Sequence, residues 1–135
     1  MIYDKKNECM SREEMQALQL ERFKAIVKYA YENVPFYKKK YDEAGFNPDD
    51  IKTLDDVRKV PFTVKSDLRD NYPYGLLAVP KSELVRVHAS SGTSGKPTVV
   101  CYTEKDLELW TECCARLCAA AGVEKEDIVQ VSFGY

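Results

Sequence analysis

The stretch ELVRVHASSGTSGKPTVVCYT, residues 83–103, is where the chain changes period. On both sides of its centre, β-branched and apolar residues alternate with polar ones, so ELVRVHAS and TVVCY each read as a strand. Between them lies SSGTSGKP, rich in glycine and hydroxyl residues, which reads as a loop. Immediately after it, TEKDLELWTECCARLCAAAG opens with Thr103 and Asp106 in the reciprocal arrangement that satisfies orphan amides at a helix start, and closes at Gly122. Leu107, Trp110, Cys114, Leu117 and Ala121 make its buried stripe. DIVQVSFGY then reads as a third strand, and strand, helix, strand in that order is the unit of a mainly parallel, helix-covered sheet.

Upstream the period is helical. SREEMQALQLERFKAIVKYAYENV begins with a capping box of Ser11 and Glu14, and Met15, Leu18, Phe23, Ile26, Val27, Ala30 and Val34 recur near helical spacing. Pro35 ends that helix and starts the next, FYKKKYDEAG, which Gly45 closes. TLDDVRKV and TVKSDLRDNY read as two short helices, each with a threonine at its start and Pro61 or Pro73 in the connections. The expected fold is therefore α/β. An N-terminal helical subdomain spans 1–82, and 83–135 holds the first strands and helix of a larger, mainly parallel sheet. Such a sheet needs more strands than these, so the chain reads as the beginning of a larger protein.

Composition excludes several classes. At 135 residues, 44% hydrophobic and 31% charged, the chain is a globular sequence rather than a disordered one. Lys plus Arg number 20 against 22 Asp plus Glu, a formal charge of −2, so no basic field draws nucleic acid or anionic lipid. Lys38, Lys39 and Lys40 form the basic cluster, diluted by Asp42 and Glu43, and read as a solvated helix face. The N-terminal MIYDKKNECM is charged where a signal peptide would be apolar, and no window approaches the roughly 18–20 apolar residues of a span, so a cytoplasmic protein is expected. Of the five cysteines, Cys113, Cys114 and Cys118 crowd one helix without a CxxC pair. They read as reduced packing groups, and no metal site is expected.

The loop carries the chemistry. It fails the GxxxxGK[ST] phosphate loop twice, because only Thr93 and Ser94 separate Gly92 from Gly95 and because Pro97 follows Lys96. Its residues still suit phosphate: the glycines let successive amides converge on one anion, Ser90, Ser91, Thr93 and Ser94 add hydroxyl donors, and Lys96 adds charge. An exposed hairpin turn remains the alternative, although the loop exceeds the about two to five residues such turns need.

SSGTSGKP resembles the phosphate-binding loop of the acyl-adenylating enzymes, where the usual pattern is S-G-T-T-G-x-P-K. Ser91, Gly92, Thr93, Gly95 and Pro97 match, Ser94 is a conservative replacement, and Thr98 stands where lysine is usual. VPFYKKKYDEAGF, PFTVKSDLRDNYPYGLLAVP, VRVHASSGTSGKPTVVCYT and the terminal FGY are most similar to phenylacetate-CoA ligases, and the resemblance runs from about Arg22 to Tyr135.

The resemblance implies an acid–thiol ligase that uses ATP, Mg²⁺ and coenzyme A to convert phenylacetate to phenylacetyl-CoA, AMP and pyrophosphate through an acyl-adenylate. It makes 83–135 the start of the AMP-binding domain. It places Ser90, Ser91, Gly92, Thr93, Ser94, Gly95 and Lys96 around the ATP phosphates, with Lys96 pointing either to them or to solvent. Gly134 and Tyr135 would stand beside the aryl group, and His88 would be a structural histidine hydrogen-bonded beneath the loop. The adenine motif, the ribose aspartate and the late lysine of the family are absent from these residues. No catalytic residue is therefore assigned here, and the isolated chain is expected to be inactive. Expected partners are small molecules, neither nucleic acid nor membrane, with a homodimer left open. A related ligase for another aromatic acid and a phosphate-binding module without catalysis are the other readings.

Overall fold

The computed structural model describes residues 1–90, 95 and 97–132. The helical part comes first. Four residues at Lys5–Glu8 form α1, Arg12–Asn33 forms α2 and Pro35–Glu43 forms α3. The Ser11 hydroxyl accepts from the Glu14 amide while the Glu14 carboxylate accepts from the Ser11 amide, so the expected capping box is present. Pro35 sits at the first position of α3, where its missing N–H costs nothing. Gly45, at φ +65, lets the Phe46 amide reach back to the Tyr41 carbonyl and close the end of α3.

Val27, Tyr41, Phe46 and Ile51 form the core of this part, with Leu20, Phe23, Tyr31, Tyr37 and Val60 packed around them. Aromatic edges do much of the packing: the Tyr41 and Phe46 rings meet edge to face at 5.1 Å between centroids. Ile26, although it lies on the apolar stripe of α2, is 60% exposed. One turn of helix cannot point adjacent residues the same way, and the core takes Val27.

The two short helices differ in kind from their expected form. TLDDVRKV becomes a 3-10 turn at Leu54–Lys59, and the later stretch gives α4 at Lys65–Asp70. The α4 cap is Val64 rather than a threonine, because the Asp67 carboxylate accepts from the Val64 amide while the Thr63 hydroxyl donates to Tyr37. Asp67 also binds Lys40, so that lysine ties α3 to α4 instead of standing in solvent. Lys38 pairs with Asp42 and Lys39 with Glu43 on the exposed face.

Asp56 is a buried acid, 9% exposed. The Lys59 ammonium and then the Lys52 and Thr53 amides hold its carboxyl far below the usual carboxylate range. A depressed carboxylate stabilises the fold above its unfolded value, near 3.8, and loses that contribution as pH falls below it. Asp56→Asn should therefore lower the unfolding midpoint at pH 7, with the gap to wild type narrowing below about pH 4. A gap that stays constant from pH 7 to pH 3 would show that the charge does not act this way.

The second part is a ribbon and a helix. β1 at Arg86–Ala89 pairs antiparallel with β2 at Val99–Tyr102, in the register Arg86–Tyr102, Val87–Cys101, His88–Val100 and Ala89–Val99. The hairpin arrangement thus holds for these two strands, and the parallel relation expected after α5 is not formed among the described residues. α5, Glu104–Ala120, starts at the expected Thr103–Asp106 box. It ends where Gly122, at φ +83, lets Val123 bond back to the Cys118 carbonyl.

The stripe expected to be buried on α5 is largely open: Trp110 is 41% and Leu117 is 70% exposed, and Cys114 and Ala121 are exposed too. Residues 127–132 form no strand, and Ile128, Val129 and Val131 are 100%, 60% and 69% exposed. Both corrections have one cause. A strand exists only through pairing and a helix stripe is buried only against a sheet, and the described residues supply just two strands. Phe133, Gly134 and Tyr135 lie outside the described residues.

Candidate functional site at the neck of the 90–98 loop

Alternation along the ribbon sorts its side chains into two faces. Arg86, His88 and Ser90 share one face with Tyr102, Val100 and Thr98 across the ladder. α5 lies over that face: the Trp110 ring stacks on Tyr102 at 5.3 Å, and His88 meets Tyr102 at 5.1 Å and Trp110 at 5.5 Å, both edge-on. His88 is therefore held by rings rather than by the hydrogen bond expected of it. The ribbon leads into the loop on a floor braced by three aromatic groups.

Beyond Ala89 and Val99 the ladder continues into the loop. The Ser90 amide donates to the Thr98 carbonyl at 2.9 Å, and the Thr98 amide donates to Ser90 Oγ at 2.9 Å. Ser90 thus closes the loop with backbone and side chain together, and its own O–H proton stays available to a ligand. Gly95 is exposed and holds φ +115, a conformation that side-chain-bearing residues avoid. Ser91, Gly92, Thr93, Ser94 and Lys96 lie outside the described residues, as do Gly134 and Tyr135. Of the expected site residues, the structure therefore places Ser90 at the neck and Gly95 in the loop.

Sequence reading passed over two features of this neck. Trp110 counted as part of a buried stripe, yet its ring meets the ribbon at His88 and Tyr102; pairing TVVCY against LVRVHA would have put those two residues on one face beneath it. Thr98 counted as the first residue of a strand, and its hydroxyl oxygen is buried without a hydrogen-bond partner.

A cleft of 680 Å³ opens at the other end of the ribbon, lined by Tyr29, Leu77, Val85, Cys101, Thr103 and Glu104 among others. It belongs to the joint between the helical part and α5, where the Tyr29 hydroxyl donates to the Ala78 carbonyl at 3.3 Å. Among the described residues no cluster of three or more His, Cys, Asp or Glu side chains could hold a metal ion. No helix among them is long and apolar enough to cross a membrane.

No protein-family model matches the chain. Individual relatives do. Phenylacetate-coenzyme A ligase of Aromatoleum evansii is 55% identical over 125 residues, 93% of this chain and 28% of the relative. The enzyme of that name from Escherichia coli strain K12 is 53% identical over 95% of this chain and 29% of its own length. That of Thermus thermophilus is 51% identical over 100% of this chain and 30% of its own length.

Among solved structures, an open conformation of 2-hydroxyisobutyryl-CoA ligase, in complex with 2-HIB-AMP and CoA, superposes with a TM-score of 0.83 at 32% identity, over 91% of this chain and 29% of that one. The same ligase in its thioesterification state gives 0.79 at 35% identity, over 85% and 25%. The helical part with its two-stranded ribbon is thus a fragment of the adenylate-forming CoA ligase fold. The chain spans between 28% and 30% of the length of the curated relatives it matches, and over nearly its whole length it is similar to phenylacetate-coenzyme A ligases.

Proposed function

We propose that this chain supplies the nucleotide-phosphate loop to an ATP-dependent ligation of phenylacetate to coenzyme A. The observation that carries this reading is the neck: a ribbon locked by Ser90 and Thr98 presents a hydroxyl- and glycine-rich loop whose Gly95 already has positive φ. Such a loop turns amides and hydroxyls toward one polyphosphate, and each charge-assisted hydrogen bond is worth about 1.5–3 kcal/mol. In this reading Ser90, Ser91, Gly92, Thr93, Ser94, Gly95 and Lys96 surround the ATP phosphates, and Mg²⁺ enters with the nucleotide as part of the substrate.

In the full-length protein the substrate carboxylate attacks the α-phosphorus, an acyl–phosphate bond forms, and pyrophosphate leaves with the electrons of the bond that breaks. The coenzyme A thiol then attacks the acyl carbon and AMP departs. The contribution of these residues is to neutralise the leaving pyrophosphate and hold the chain of phosphates in line. Residues 1–82 are the helical subdomain in this reading and 83–135 the start of the AMP-binding domain. Gly134 and Tyr135 stand beside the aryl group, and the protein works in the cytoplasm.

The choice of an aromatic acid rests on identity: 51–55% to phenylacetate ligases against 32–35% to the 2-hydroxyisobutyryl ligase. The test is pyrophosphate release by full-length protein given MgATP and phenylacetate, followed by thioester formation once coenzyme A is added. Absence of pyrophosphate with phenylacetate and with every other aryl acid supplied would remove the ligase reading. ATP binding under those same conditions would leave a phosphate-binding module in its place.

A further inference from the structure

We propose that residues 1–10 form a clasp that fixes α5 against the helical part of the chain and releases without unfolding either, a conformational device that does not depend on which reaction the loop serves. The arm runs directly into α2, whose cap is Ser11, so one end of it is anchored to the helical core. Its other end grips α5: Asp4 Oδ2 accepts from Arg116 Nη2 at 3.1 Å, across 112 residues of sequence. Glu112, one turn earlier on α5, binds the same Nη2 and keeps the arginine fixed on its own helix. Tyr3 lies along this side of α5, facing Glu104, Glu108, Thr111 and Glu112 across a shallow cleft.

The grip is oriented, yet little else holds the arm. Asp4 is also the cap of α1, accepting from the Asn7 amide at 3.2 Å and from the Asn7 side chain, so the direction of its carboxylate is set by that turn. Both members of the ion pair are partly buried, where salt screens them less than it does a surface pair. By contrast α1 is a single turn with no buried residue, and Met1, Ile2 and Tyr3 are exposed. A segment with so few buried contacts opens far more readily than the core unfolds.

The two bodies that the clasp joins are each packed within themselves. α2 packs on α3 and on the 3-10 turn at Leu54–Lys59, while α5 packs on β2 and stacks Trp110 against Tyr102. Between them lies the 680 Å³ cleft, with Tyr29 of α2 on one side and Val85 and Glu104 on the other. Release of Asp4 therefore frees α5 and the ribbon to shift together about that cleft.

The test separates a clasp from a tail lying on the surface. In full-length protein, Asp4→Asn keeps a good helix cap and removes the charge. Amide hydrogen exchange should then quicken roughly threefold to tenfold in residues 4–9 and also in α5 around Arg116, with the amides around Val27 unchanged. Trypsin cleavage at the exposed Lys5 and Lys6 should quicken in step. Arg116→Gln should affect the same two regions, and the double variant should exchange no faster than the faster single one, because both changes break one link. Quickening confined to residues 4–9 would overturn the clasp, since α5 would then hold its place without the arm. Additive effects of the two substitutions would overturn it as well, by showing that Asp4 and Arg116 act on different partners. Quickening that extends to the amides around Val27 would do the same, because the pair would then serve the stability of the whole fold.

Discussion

Full-length protein carrying Gly95→Val is expected to bind MgATP roughly tenfold to hundredfold more weakly than wild type, with little change in its unfolding midpoint. Gly95 holds φ +115, and a Cβ built there meets no atom within 4 Å. Crowding is therefore not the cause. The cost is backbone strain, about 1–3 kcal/mol for a residue forced into a region open to glycine alone. Because Gly95 is exposed and lies outside the core, that strain is relieved locally rather than by unfolding. On the proposed reading, binding suffers because a changed backbone at residue 95 turns amides away from the phosphates. An affinity equal to wild type by titration calorimetry would show that the loop does not use this geometry to hold phosphate.

The largest effect on stability is expected at Ile51. Its side chain is 2% exposed and sits in the cluster with Val27, Tyr41 and Phe46. Ile51→Ala should cost about 2–5 kcal/mol, the lost transfer energy plus a cavity that α2 and α3 cannot close. Ile51→Val, which removes a single methylene, should cost about 0.5–1.5 kcal/mol. Urea unfolding of both variants measures the ratio. A cost for the alanine variant below that of the valine variant would mean the core is not organised around this residue. MgATP affinity should be untouched by Ile51→Val, since the cluster lies in the helical part and the loop hangs from the ribbon.

Much of the helical part is readable from residues because its instructions are local. Ser11 with Glu14, Thr103 with Asp106, Pro35 at a helix start and glycines at 45 and 122 each satisfy or release backbone groups within a few positions of themselves. What failed was anything that depended on a distant partner. Val64, not a threonine, caps α4, while the Thr63 hydroxyl donates to Tyr37 and Asp67 pairs with Lys40, both partners lying far off in sequence. The open stripe of α5 and the unpaired stretch at 127–132 follow the correct hydrophobic pattern, yet burial needs a surface to pack on.

The site divides in the same way. By itself the sequence determined that residues 90–96 are rich in glycine and hydroxyl groups, and that their spacing differs from GxxxxGK[ST]. Those are facts of composition and spacing along one strand of text. Only the tertiary structure decided that β1 and β2 run antiparallel, that Ser90 and Thr98 lock the neck, and that His88, Tyr102 and Trp110 brace its floor. Only it showed a buried Thr98 hydroxyl without a partner. The reason is physical: hydrogen-bond satisfaction and ring packing are properties of pairs brought together across the fold, and no local preference records which pairs will meet.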